Sequence, residues 1–427
     1  MKKKIFIFFL FTLILSLFLS SCSNDNKEMD HANMNMAQHN TKENEKQTGN
    51  DTSGMDMKNM FANPPTEMNQ NADLNLKTLN TKNITRLNAN DPIETAVLVS
   101  QTIFPATHKE NRPGTVILVP VDNWQVGLAS ADLIHHPNNG PILFMTKDGI
   151  PRASLDEIKR LNPIGNSEGT QVMVMGEATQ NILDDLGEYK VETILATDSA
   201  EFAAAVDKKY AAVSGGGFPN SVIIVSSDDE AKLFSLSAIN WIAHMPEPVL
   251  FVSKNEIPQA TTTALKERKK ANIYVLGSET VISSKVINDL GDYGKVTRIK
   301  GNDPISASIE FAKFKDKNNQ FGWGLNEPGH GVSFISTESP ELAIAAAPFS
   351  HLGKHAPLIW LDNGNVSDPV YQFLASIKPT FKDDPTSGPY NHGFVIGTQK
   401  EIPFTNQGIL DEKLEIVQEN GEGHIGH

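Results

Sequence analysis

The sequence predicts an α/β protein built from three tandem units, each a parallel sheet covered by helices. The segment TRLNANDPIETA at 85–96 returns as TRIKGNDPISAS at 297–308, and TKDGIP at 146–151 returns as SKNEIP at 253–258, about half that spacing away. Between the copies, short apolar runs alternate with helical stretches, as expected for parallel strands joined by right-handed crossovers. The predicted units are 84–190, 191–295 and 296–410, in a pseudo-threefold arrangement.

Each unit opens with a short strand followed by a helix that begins at an aspartate. Asp91 and Asp303 suit the N-cap, because a carboxylate there accepts from free amides of the first turn, and the proline that follows each fits the first helical position. Next comes a β-branched run typical of a strand buried on both faces, at 115–121, 221–227 and 331–337. Polar residues directly after these runs mark the carboxyl edge of each sheet, where parallel sheets hold ligands: Asp122, Asn123, Asp228, Asp229, Thr337 and Glu338.

The first 21 residues are expected to be a lipoprotein signal peptide. Lys2 to Lys4 precede an apolar stretch at 5–19 that is short for a spanning helix. The sequence LSSC at 19–22 resembles the bacterial lipobox, in which the cysteine receives a diacylglyceryl group. We therefore expect an exported protein anchored by acylated Cys22 to the lipid bilayer, on the extracytoplasmic face of the cell membrane. An uncleaved anchor with an incidental cysteine is the alternative.

Residues 22–83 are polar and are predicted to form a disordered tether, and residues 411–427 a polar tail. Seven of the twelve methionines lie between 29 and 68, with two histidines among them. Thioethers favour Cu(I), and imidazoles extend such a set to Cu(II) or zinc. Compositional drift in a disordered spacer is the alternative explanation of this enrichment. The candidate copper ligands are Met29, His31, Met34, Met36, His39, Met55, Met57 and Met60. In contrast, we expect ordinary surface roles for His135, His136, His244, His351 and His355.

Charge and motifs exclude several function classes. The formal charge is −14, and loss of the three signal-peptide lysines lowers it to −17, so nucleic acid is not an expected partner. The sequence contains no GxSxG elbow, no GxGxxG after a strand and no phosphate-binding loop, and its single cysteine is the lipidation candidate. We therefore expect a protein that is not an enzyme.

Taken together, the repeat starts, the alanine-rich helices and the Pro-Ile/Leu strands resemble the type 2 cell wall-binding repeat family over about 84–400. The resemblance implies non-catalytic binding of a cell-wall glycopolymer or a wall-associated protein. The polymer-binding candidates that it implies are Arg86, Asp91, Arg298 and Asp303, since arginine forms planar contacts with phosphate or carboxylate. Helix capping and internal pairing are the structural alternative for these four. The alternative function is an extracytoplasmic copper-binding protein that uses the tether, with the repeats as scaffold.

Overall fold

The structure is a computed structural model that describes residues 57–353 and 355–419. Its first part contains α1 (Met57–Phe61), β1 (Ile84–Leu87), α2 (Pro92–Ile103), β2 (Val116–Pro120), α3 (Trp124–Ser130), β3 (Ile142–Met145), α4 (Arg152–Leu161), β4 (Val172–Met175), α5 (Gln180–Asp185) and β5 (Val191–Ile194). The middle part contains α6 (Ser199–Ser214), β6 (Ser221–Ser226), α7 (Lys232–Leu236), α8 (Ile239–Ile242), β7 (Val249–Val252), α9 (Gln259–Glu267), β8 (Ala271–Leu276), α10 (Ser284–Leu290) and β9 (Gly294–Ile299). The last part contains α11 (Pro304–Lys313), β10 (Gly331–Ser336), α12 (Leu342–Ala346), α13 (Phe349–Leu352), β11 (Leu358–Leu361), α14 (Asp368–Ser376), β12 (Thr380–Phe381), β13 (His392–Ile396), α15 (Phe404–Leu414) and β14 (Val417–Gln418).

Three four-stranded parallel sheets confirm the predicted fold class. Their strand orders are β3-β2-β4-β5, β7-β6-β8-β9 and β11-β10-β13-β1, so the same topology occurs three times. We call these sheets, with their helices, unit 1, unit 2 and unit 3. The β-branched runs form the second strand of each sheet, where β6 and β10 are buried along their whole length. Helices on both faces keep these strands from water, as the continuous apolar runs predicted.

The opening strand of each repeat belongs to the sheet of the preceding unit. β5 pairs with β4 and β9 pairs with β8, so the predicted boundaries at 190 and 295 separate the last strand from its sheet. The first copy follows the same rule, because β1 pairs with β13 of unit 3, with Ile84 opposite Gly393. The helices that follow these strands, α2, α6 and α11, pack against the next unit, on β3, β7 and β11 respectively. The amino-terminal strand therefore closes a ring of three units.

Helices from different units meet in a cyclic pattern around a pseudo-threefold axis. α2 packs on α12, α6 on α3, and α11 on α7. Polar bonds reinforce these junctions: the indole N–H of Trp124 in unit 1 donates to Asp229 of unit 2 at 3.0 Å, and that of Trp360 in unit 3 donates to the Leu233 carbonyl at 3.0 Å. The predicted pseudo-threefold arrangement is confirmed.

The ordered body extends beyond the predicted limits at both ends. Residues 57–83, predicted as tether, lie along unit 3, where α1 packs on α14 and the Lys413 ammonium donates to the Asn63 carbonyl at 2.9 Å. At the other end, the helix α15 continues past residue 410, and Asp411 accepts from the Asn83 amide at 2.7 Å. The prediction of a tether up to 83 and a tail from 411 is therefore wrong for the described residues. No helix in this described part has the length and apolar character needed to span a bilayer.

Candidate functional site

The two aspartates of the repeat motif are helix caps. The Asp91 carboxylate accepts from the Glu94 amide at 3.0 Å, and Pro92 is the first helical residue. Asp303 accepts from the Ser306 amide at 3.0 Å, and the Ser306 hydroxyl completes a capping box. Local geometry thus accounts for both carboxylates. Their contact with a polymer stays a prediction.

Arg86 is buried inside unit 3, with 6% of its surface exposed. Its guanidinium donates to the Gln407 side-chain oxygen at 2.6 Å and to the carbonyls of Gly397 and Ile402 at 2.8 Å each. Burial lowers the pKa of Arg86 to about 10, an effect that Glu401 opposes. The positive φ of Gly397, +121°, directs its carbonyl into this network. The guanidinium holds the loop after β13, so this geometry leaves it little access to an external ligand.

Arg298 repeats this contact in a more open setting. Its two terminal nitrogens donate to the carbonyls of Gly277 at 3.0 Å and Ile282 at 2.6 Å, the equivalents of the Arg86 partners. The side chain is half-buried, and burial lowers its pKa. In unit 1 the same position is Thr193, which is exposed. The sequence motif therefore records a structural clamp that units 2 and 3 have and unit 1 lacks.

An open cleft of about 680 Å³ lies at the carboxyl edge of the unit 1 sheet. It runs between the ends of β2, β3, β4 and β5, where Asp122 and Asn123 were predicted to mark this edge. Glu177 and Asp198 add carboxylates, and Lys147 is the cation among its lining side chains. This acidic cleft can offer hydrogen bonds to hydroxyl groups, but its charge disfavours an anionic ligand.

A second cleft, of about 640 Å³, lies at the same edge of the unit 2 sheet. Arg298 and Lys300 line it together with Glu279 and Glu310, so the opposite charges balance. Asn302 lies beside Lys300, and both are exposed. Because Arg298 already serves two carbonyls, Lys300 is the cation of this cleft that is free of a described hydrogen bond. Of the two clefts, this one is better suited to a phosphate or carboxylate.

The prediction that the central histidines are ordinary surface residues holds for His136 and His355, which are exposed, but it is wrong for the buried His135 and for the half-buried His244 and His351. His135 is 5% exposed, and its ring lies 6.3 Å from that of His351, which lies 6.3 Å from His244. Burial, together with the neighbouring imidazoles, lowers the pKa of His135 to about 3 and that of His244 to about 4. These side chains are therefore neutral near pH 7. Their positions before three different strands kept them apart in the sequence.

Six of the predicted copper ligands lie outside the described residues: Met29, His31, Met34, Met36, His39 and Met55. Cys22 also lies outside them. Met57 and Met60 lie on α1, and the side chain of Met60 is 47% exposed. Among residues 57–353 and 355–419, no group of three or more His, Cys, Asp or Glu side chains is arranged to hold a metal ion as it stands. Copper binding by the tether stays a prediction.

The fold resembles two solved structures from Clostridium difficile. No family model matches the chain. Cwp6 from Clostridium difficile superposes with a TM-score of 0.62 at 19% identity over 78% of this chain, and Cwp8 from the same organism with 0.60 at 19% over 78%. The N-acetylmuramoyl-L-alanine amidase LytC of Bacillus subtilis (strain 168) is 22% identical over 226 residues, or 52% of this chain. The chain spans 40% of LytC and about half of Cwp6 and Cwp8 (48% and 52%). The three-unit α/β fold is thus shared with Cwp6 and Cwp8.

Proposed function

We propose that this protein is an exported lipoprotein, anchored through acylated Cys22, whose three-unit body binds a cell-wall polymer without catalysis. The observation that carries the proposal is the shared fold: the C. difficile cell wall proteins Cwp6 and Cwp8 match 78% of this chain. The amidase match supports the same location, because the name of LytC describes an enzyme acting on N-acetylmuramoyl-L-alanine. The basic and apolar amino-terminal stretch and the lipobox-like sequence fit an extracytoplasmic protein.

The unit 2 cleft is the polymer-binding surface that we propose. A wall glycopolymer offers hydroxyl, phosphate or carboxylate groups, and the protein as a whole carries a strongly negative charge. Long-range repulsion therefore favours contact through a local cation. Lys300, beside Asn302, is such a cation in this charge-balanced cleft and is free of a described hydrogen bond. The acidic unit 1 cleft would contribute hydrogen bonds to sugar hydroxyls from Asn123 and Asp122.

Sedimentation with purified cell walls tests this proposal. The mature full-length chain is expected to pellet with walls at low salt, and less at high salt, since contacts between charges are screened. Lys300→Glu should weaken pelleting. Lys266→Glu is the matched control, because Lys266 is an exposed lysine on α9 outside both clefts and gives the same change of charge.

Each outcome has a distinct meaning. If the wild-type chain fails to pellet at low and physiological salt, wall binding is refuted. If wild-type protein pellets and the two lysine variants behave alike, the polymer binds elsewhere than the unit 2 cleft. Release of soluble fragments from the walls by purified protein would contradict the non-catalytic part of the proposal.

Copper binding by the tether is the second candidate function. The clustering of seven methionines and two histidines between residues 29 and 68 favours it. Calorimetric titration of Cu(I) into the mature chain, and into a variant with Met29, Met34, Met36 and Met55 replaced by leucine, measures it directly. Equal binding by both would refute the methionine site.

A further inference from the structure

Seven of the eight histidines in residues 57–353 and 355–419 gather at the amino ends of the strands, where the three units meet. The loops before β3, β7 and β11 contribute His135, His136, His244 and His355, and His351 lies on α13. His330 and His392 lie at the starts of β10 and β13. His330, His355 and His392 line one open cavity of about 410 Å³. His108 alone among these eight lies elsewhere. A triple repeat without a common His motif thus concentrates imidazoles at one end of its axis.

His244 of unit 2 lies at the middle of this group. Its Nε2 is 3.0 Å from Nδ1 of His355 in unit 3, with the two ring centroids 4.3 Å apart. The centroid of His351, also in unit 3, lies 6.3 Å away. On its other side, the indole of Trp323 stacks on His244 with 5.6 Å between centroids and 9° between planes. An aromatic wall therefore orients the central imidazole.

Two nitrogens of this group lack the hydrogen-bond partner that a buried imidazole nitrogen usually has. His351 Nδ1 and His135 Nε2 are buried and make no hydrogen bond. A buried nitrogen without a hydrogen bond lowers the stability of the folded protein. A bound ligand would supply the missing partner of these nitrogens.

We propose that His244, His351 and His355 form a site for a divalent transition-metal ion such as Cu²⁺, Zn²⁺ or Ni²⁺. Imidazole nitrogen suits all three ions. With metal–nitrogen bonds of about 2 Å at tetrahedral angles, the centroids of two bound imidazoles lie about 5 Å apart. The observed separations of 4.3 and 6.3 Å fall on either side of that value. Side-chain rotation that moves His351 about 1 Å closer would complete the site.

Such a site joins two units. His244 precedes β7 of unit 2, whereas His351 and His355 flank the loop before β11 of unit 3. A bound ion would add a cross-link between elements far apart in the sequence and stabilise the ring. It is independent of the methionine-rich segment, because none of its three ligands lies there.

Tryptophan fluorescence of the full-length chain reports on this site directly. Two of the four tryptophans, Trp323 and Trp241, lie within 6.3 Å of the His244 ring, and the segment 22–83 contains none. Cu²⁺ bound to His244 should quench them saturably when free Cu²⁺ is buffered with glycine. Trp323→Phe should remove a large part of the quenching while leaving binding intact.

The deciding variant is His355→Asn. His355 is exposed and has a φ of +55°, a conformation that asparagine tolerates, so the fold should survive. We expect its apparent Kd for Cu²⁺ to rise about tenfold or more. His108→Ala, an exposed histidine outside the group, should bind as wild type does.

A second measurement guards against a misfolded variant. Zn²⁺ should raise the melting temperature of the wild-type chain, and this rise should be lost in His355→Asn, whose melting temperature in EDTA should match wild type. Quenching that does not saturate, or that is equal in wild type, His355→Asn and His244→Gln, would overturn the proposal. Every protein compared contains the same methionine-rich segment, so any copper bound by that segment contributes equally to each measurement.

Discussion

The role of Arg86 gives the sharpest test of how the repeat motif works. The substitution Arg86→Ala removes three hydrogen bonds from a guanidinium that is 6% exposed. It leaves the carbonyls of Gly397 and Ile402 and the Gln407 amide oxygen without this donor. Each unsatisfied buried group costs about 1–3 kcal/mol, although water that enters the space recovers part of the loss. We expect the free energy of unfolding to fall by about 3–5 kcal/mol.

The comparison with Arg298→Ala makes this magnitude informative. Arg298 makes two such bonds and is half-buried, so its loss should cost about 1–2 kcal/mol. The assay is thermal unfolding followed by circular dichroism, where 4 kcal/mol corresponds to about 5 °C in a body of this size. Wall sedimentation is then measured well below both melting temperatures, where each variant is folded.

A structural clamp predicts that folded Arg86→Ala protein pellets with walls as wild type does. The reasoning would be refuted if Arg86→Ala melted within 1 °C of wild type yet lost wall binding. That result would mean that the guanidinium leaves its carbonyls to contact a ligand, and Arg86 would return to the set of polymer-binding residues.

Three further predictions concern stability. Asp303→Ala should cost about 1 kcal/mol in urea unfolding, whereas Asp303→Asn, which keeps an acceptor, should cost less. Asp207→Ala should lower the free energy of unfolding by about 3–5 kcal/mol, because Asp207 and Arg268 form a 2.6 Å ion pair in which both side chains are fully buried. The double variant Asp207→Ala with Arg268→Met should recover part of this loss. A loss under about 1 kcal/mol for Asp207→Ala alone would contradict the prediction. Burial raises the pKa of Glu247 from 4.5 to about 7, so the folded state keeps a proton that the unfolded state loses. The stabilisation that Glu247 contributes is therefore fully present below pH 4.5. The free energy of unfolding falls by about 3 kcal/mol on this account as the pH rises to 7. Glu247→Gln should be more stable relative to wild type at pH 7 than at pH 5, and an equal difference at both would refute the shift.

Local features of the fold were predictable because their causes lie within a few residues. Asp91 and Asp303 sit directly before Pro92 and Pro304, and capping depends only on that short stretch. The buried strands β2, β6 and β10 are visible in the sequence as β-branched runs. Membership of a sheet is different. Nothing in TRL at 85–87 indicates that its neighbour is β13, since backbone pairing carries no local sequence signal.

The same distinction explains what was missed at the candidate sites. The clefts follow from strand ends, so Asp122 and Asn123 could be predicted to line one of them. His244 and His355 are more than 100 residues apart, and only the packing of unit 2 on unit 3 brings them into contact. Residues 57–83 contain no sustained apolar pattern, and they are held by packing of α1 on α14 and by polar bonds to α15 such as that of Lys413 with Asn63. Composition cannot reveal such docking.

Pairing of β1 with β13, which closes the ring of units, can form only late in folding. Thr85 and His392, which hydrogen-bond across the β1–β13 pair, are 307 residues apart. Ribosomes make β1 first, yet its partner emerges only near the end of synthesis. Until then, β1 exposes an unpaired backbone edge that can associate with other chains. Contacts of such long sequence separation also form slowly, so the assembled ring is a late product of folding. A factor that shields this strand in the nascent chain would raise the yield of native protein without touching the finished molecule.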